Sequence, residues 1–220
     1  MSDGLPTATA AQSGKPASEK LITLRGTLWV FGVLGGLAVL LAAGGEGARL
    51  ALRYERGAVF QGEYWRLLSG HMVHGSSAHL LLNMVGMGLV VGLFPRHYSW
   101  RQWLLILLAS AAAIDAGFVF YEPQLQWYVG LSGVLHGALA AGAIAWWRQE
   151  SRPLALALTL VLAAKLAWEQ WHGALPFSGD MTVVVDAHLY GALGGALAGV
   201  AMWACILLFS QDWSSRRRSL

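Results

Sequence analysis

The feature that most constrains this chain is the segregation of its charges. Six apolar stretches, at residues 27–43, 78–94, 100–120, 131–147, 153–171 and 186–209, carry almost no Asp, Glu, Lys or Arg. A helix needs about 20 mostly apolar residues to cross the hydrocarbon core. Inside that core the backbone can satisfy its polar groups only within a helix or a closed barrel. Composition agrees: 56% of the residues are hydrophobic and 12% charged, where a soluble domain carries about 25% charged residues. Mean hydropathy is +0.51. The expectation is an all-α polytopic membrane protein with six transmembrane helices. Residues 1–26 read as a disordered cytoplasmic tail, 27–210 as one six-helix domain, and 211–220 as a basic cytoplasmic tail.

The distribution of Lys and Arg orients these helices, because cytoplasmic loops are enriched in them. Lys15, Lys20 and Arg25 precede the first stretch, and no Ala-x-Ala-like cleavage site closes it, so it reads as a retained helix. Arg96 and Arg101 join the second stretch to the third, Arg148 and Arg152 the fourth to the fifth, and Arg216, Arg217 and Arg218 follow the sixth. These fall on one side when both termini are cytoplasmic. The intervening connections, 121–130 and 172–185, hold no Lys or Arg. The long first loop, 44–77, mixes Arg49, Arg53, Arg56 and Arg66 with Glu46, Glu55 and Glu63 and gives no clear sign. In this orientation the second, fourth and sixth helices begin in the outer leaflet. No basic face with interleaved aromatics occurs, so no nucleic-acid partner is expected. The single cysteine, Cys205, excludes an internal disulfide.

Polar residues within such helices are costly and mark functional sites by default. His79 and Asn83 stand one turn apart near the start of the second helix, Ser132 opens the fourth, and His188 lies near the start of the sixth. All four therefore share one depth. A serine hydroxyl becomes nucleophilic when a base lies within hydrogen-bond reach, and His188 is the expected base. The amides of a helix N-terminus at Ser132 point toward a developing oxyanion. His79 and Asn83, on one helical face, could complete that oxyanion site. Gly130 and Gly133 leave room for a backbone bend and close helix approach. Gly191, Gly195 and Gly199, facing Gly133, Gly137 and Ala141, form a small-residue pattern that lets two membrane helices approach closely.

These residues resemble the rhomboid intramembrane proteases, over residues 60–200. The motifs are Trp65-Arg66 in the first loop, His79-x-x-x-Asn83, Gly130-x-Ser132-Gly133, and Ala187-His188-x-x-Gly191-x-x-x-Gly195, in the family's order. The resemblance implies a six-helix rhomboid-like bundle and a Ser132–His188 dyad with no acidic third member, no metal and no cofactor. Finer stretches look like the rhombosortase branch: Gly130-Leu-Ser-Gly-Val-Leu-His136-Gly137, Trp168-Glu169-Gln170, and Val185-Asp186-Ala-His188-Leu-Tyr190-Gly191. That branch implies a bacterial inner-membrane enzyme opening toward the periplasm. Its substrates would be membrane-anchored proteins with a C-terminal Gly-Gly motif and a transmembrane tail. Glycines suit such a site, since they lower helix propensity by about 1 kcal/mol each relative to alanine.

Several polar residues remain. Glu169 is expected either to accept hydrogen bonds from an unwound substrate backbone or to pair with Lys165 at i, i+4. His74 is expected to shape the loop beside the oxyanion site. His71, His74, His79 and His188 could suggest zinc, but no His-Glu-x-x-His is present and none is expected to hold metal. Asp186, two residues from His188, reads as a helix-start residue. Two other function classes fit the composition. A catalytically inactive rhomboid-like protein that binds membrane helices would be expected to lack Ser132 or His188. A small transporter would be expected to show internal repeats, and no clear repeat is present.

Overall fold

The computed structural model describes residues 17–149, 152–175 and 183–216. They form nine helices and a two-residue strand pair: α1 (Ala17–Ala43), α2 (Gly45–Leu52), β1 (Tyr54–Glu55), α3 (Arg56–Phe60), α4 (Trp65–Ser69), α5 (Ser77–Leu93), α6 (Trp100–Phe120), β2 (Trp127–Tyr128), α7 (Ser132–Gln149), α8 (Arg152–His172) and α9 (Val185–Arg216). The outside of the molecule is apolar. Leu40, Leu81, Val85, Leu105, Val161 and Leu197 all face outward, as lipid contact allows and water would penalise.

Among the described residues, four helices have segments long and apolar enough to cross a membrane: Thr23–Ala43, Trp100–Phe120, Arg152–His172 and Val185–Leu207. The other two expected spans differ for physical reasons. Helix α5 has 17 residues, or about 25 Å at 1.5 Å per residue. Helix α7 is built of small residues because protein, not lipid, surrounds it. From Ser132 to Trp146 none of its residues is exposed, and Ala138, Ala141 and Ala145 are fully buried. The boundaries also shift. Helix α1 begins at Ala17, inside the expected tail, and α9 continues to Arg216. The rest of the two expected tails, residues 1–16 and 217–220, lies outside the described residues.

Backbone contact along α7 and α9 sets the architecture. A Cβ at Gly133 would stand 2.6 Å from the Ala187 carbonyl oxygen, and one at Gly191 or Gly195 would overlap the carbonyl of Gly133 or Gly137. Gly194 turns to the other neighbour, where a Cβ would meet the Ala109 carbonyl of α6 at 2.6 Å. Gly199 is looser, with its closest would-be contact at 3.3 Å. Buried polar groups bind within the bundle: Trp103 Nε1 donates to Thr27 Oγ1 at 3.0 Å, joining α6 to α1, and Tyr98 Oη donates to the Ala141 carbonyl at 2.7 Å.

The first loop is ordered by its own charges. Arg49 pairs with Glu46, Arg53 with Glu55 and Arg66 with Glu63. Arg66 also donates to the carbonyls of Leu50 and Arg53. Arg56 donates to the Phe118 carbonyl at 2.8 Å and the Val119 carbonyl at 3.3 Å, at the C-terminal end of α6, where a cation is favoured. All four arginines have partners within the protein, three of them in the loop and Arg56 on α6, which explains why this loop stands apart from the charge count of the others.

Candidate active site

The turn before α7 creates the site. Gly130 has φ +121°, a conformation that glycine adopts without strain. Its N–H donates to the Gly70 carbonyl at 3.0 Å, and its carbonyl accepts from Tyr128 Oη at 2.6 Å. A Cβ at Gly130 would lie 2.6 Å from His79 Cε1, so the absence of a side chain lets the His79 ring pack onto the turn. Ser132 then opens α7.

Across the glycine seam, α9 brings His188 to Ser132. Ser132 Oγ lies 2.9 Å from His188 Nε2, and His188 is 5% exposed. Two residues hold the imidazole further. The His136 ring stacks on it, with centroids 4.2 Å apart and planes 17° from parallel. His136 Nδ1 lies 2.7 Å from the Ser132 carbonyl oxygen, which can only accept, so that nitrogen carries the proton. On the other ring nitrogen of His188, Nδ1, Glu169 Oε2 stands 2.9 Å away, and the same oxygen is 2.7 Å from Lys165 Nζ.

A cavity of about 320 Å³ joins these groups. Its polar lining includes His79, Asn83, Ser132, His136, Glu169 and His188, and leucines from α5 and α7 form apolar wall. Asn83 is buried and its Nδ2 has no hydrogen-bond partner. A buried donor without a partner costs about 1–3 kcal/mol, so it is available to any acceptor that enters. The His74 ring lies 5.1 Å from that of His79, in the loop before α5. Burial, then the neighbouring His79, lower the His74 pKa to about 4.

Ser132, His188, His79, Asn83 and Gly130 thus come together as the spacing requires. His74 sits behind His79 and is absent from the cavity lining. The expected Lys165–Glu169 pair is present. Glu169 lines the cavity, is 3% exposed, and its Oε2 already holds two partners. The histidines considered for zinc do not assemble. His71 Nε2 instead stands 3.3 Å from Asp115 Oδ1. Among the described residues the grouping with metal-ligand chemistry is His136, Glu169 and His188, with ligand atoms within 4.8 Å. The Lys165 ammonium already occupies its carboxylate, which disfavours a second cation.

The contacts of His136 and Glu169 with His188 were missed from sequence. The signal for Glu169 was its depth. Helix α8 runs against α7 and α9, so its last turn lies level with their first turns.

The family model for the rhomboid domain matches residues 61–205. Among curated relatives, the Bacillus subtilis protein YdcA, named a putative rhomboid protease, is 28% identical over 122 residues, covering 56% of this chain and 58% of its own length. The rhomboid protease GlpG of Enterobacter sp. is 25% identical over 115 residues, covering 52% of this chain and 40% of its own. The rhomboid protease GluP of Bacillus subtilis is 32% identical over 87 residues, covering 40% and 17%. This chain therefore spans between about a sixth and three-fifths of the length of these relatives.

Proposed function

The chain belongs to the rhomboid family, and from that premise we propose that it is an intramembrane serine endopeptidase with Ser132 as nucleophile and His188 as general base. The observation that carries this reading is the 2.9 Å approach of Ser132 Oγ to His188 Nε2. In the reaction, Ser132 Oγ attacks the scissile carbonyl carbon as His188 Nε2 takes its proton. The carbonyl electrons move to oxygen, where His79, Asn83 Nδ2 and the first amides of α7 offer donors; Gly130 leaves His79 its place. The C–N bond then breaks and His188 returns the proton to the leaving amine. A water, deprotonated by His188, attacks the acyl ester and restores Ser132; an amine in its place would give a transfer product. No step calls for a metal or cofactor.

The protein is multi-pass and its surroundings are the lipid bilayer. The reading adds six spans in a bacterial inner membrane, with α5 and α7 as the short and the protein-enclosed members, both termini cytoplasmic, and the site opening to the periplasm. The Gly130–Gly137, Trp168–Gln170 and Val185–Gly191 stretches support the rhombosortase branch. The substrate class is then a membrane-anchored protein with a C-terminal Gly-Gly motif and transmembrane tail. Co-expression with such a protein tests it. Mass spectrometry of the mature C-terminus is expected to show cleavage at or near Gly-Gly with the wild type and an intact tail with Ser132→Ala. Equal processing by both would overturn the reading.

A further inference from the structure

Resting on the assignment of Ser132 and His188, we propose that Glu169 makes this site a Ser–His–Glu triad, as a positioning residue that sets the tautomer and orientation of His188. A neutral imidazole carries one N–H. The Glu169 carboxylate can only accept, so its 2.9 Å contact places that proton on Nδ1. Nε2 is then bare and faces Ser132 Oγ, as a base must. The opposite tautomer would present an N–H to the serine hydroxyl and could not take its proton.

The neighbouring cation sharpens the argument. Lys165 Nζ lies 3.4 Å from His188 Nδ1 and 2.7 Å from Glu169 Oε2. An ammonium donating to Nδ1 would force the unproductive tautomer. Glu169 takes the shorter contact with each, and so draws the ammonium to itself while accepting from the ring. Lys165 in turn balances the carboxylate's charge, which an apolar interior alone would oppose. When His188 takes the serine proton, it becomes a cation beside an anion already in place. Glu169 gains no proton at any step; it shares the Nδ1 proton throughout. Among the described residues, α8 buries only Ala155 and Glu169. Burying a carboxylate on an otherwise outward-facing helix has a cost, and the triad gives that cost a use.

Among the described residues, the other titratable groups that line the cavity with His188 are His79 from α5, Tyr128 of β2, His136 from α7 and Lys165 from α8, with Asp186 on its own helix. The test is the rate at which a fluorophosphonate labels Ser132 in the purified full chain, followed from about pH 5 to 9 across the histidine range. Rates are referred to folded protein measured by thermal unfolding. Glu169→Gln is expected to slow labelling by about 100-fold or more. It is also expected to move the acid limb of the profile to lower pH, because an imidazolium that loses an adjacent anion gives up its proton more readily. Glu169→Asp keeps a carboxylate and is expected to label faster than Glu169→Gln. Lys165→Met with Glu169→Gln is expected to stay as slow as Glu169→Gln alone. If Glu169→Gln does not accumulate, Glu169→Asp against Glu169→Asn poses the same question at equal size. Wild-type labelling with an unchanged acid limb in the amide variants, an amide outperforming the acid, or recovery in the double variant overturns the triad and leaves the protease reading standing. Absence of Ser132 labelling in the wild type overturns both.

Discussion

Along the seam of α7 and α9, backbone meets backbone, whereas α8 reaches the same site only through side chains. Glycines at 133, 137, 191 and 195 let carbonyl groups of one helix lie where a Cβ of the other would be, so the seam has little freedom to adjust. Ser132 and His188 both sit on it, and their separation is fixed by the main chain. Helix α8 is mostly exposed on its own surface and touches the site through the long side chains of Lys165 and Glu169. On the proposed reading, the Ser132–His188 geometry is thus built into a close-packed seam, and its electrostatic tuning is lent by the more exposed α8.

Substitutions separate the two modes. The largest effect is expected at the seam: Gly191→Leu must push apart two backbones. Overpacking typically costs about 1–3 kcal/mol, and here the obstructing atoms are main chain, so the loss is expected at or above the upper figure. Membrane abundance and thermal unfolding check it, and a stable, active Gly191→Leu protein would break the comparison. A side-chain contribution is expected to lose rate and not fold. Asn83→Ala on α5 is expected to lower turnover by about 100- to 1,000-fold, as loss of one oxyanion donor does, with KM and unfolding temperature little changed. A change in KM alone would assign Asn83 to substrate binding.

The seam was legible in sequence, since the Gly191 and Gly195 spacing and the facing Gly133 and Gly137 announce close approach. The series holds at Gly199 too, where a Cβ would stand 3.4 Å from the Ala141 Cα, and was silent on Gly194, which meets α6. The four polar residues were legible because charge and polarity are rare in this chain and share a depth. Glu169 was visible as an anomaly, but its partner was not. A pairing at i, i+4 with Lys165 satisfied it locally, and only the helix packing shows that His188 competes for the same oxygen. The short helices α2, α3 and α4 were hidden for another reason. Contacts distant in sequence, such as Arg56 on the end of α6 and Arg66 on the Leu50 and Arg53 carbonyls, accompany their fold, and local periodicity carries no trace of those.

The central claim is that Ser132 is activated by His188. Its most direct test is to react the purified protein with a fluorophosphonate and map the adduct by peptide mass spectrometry. The expected result is a single adduct on Ser132, absent in Ser132→Ala and reduced about 1,000-fold or more in a folded His188→Ala variant, since either member removed disables the pair. An adduct on another residue, or undiminished labelling of Ser132 without His188, would contradict it.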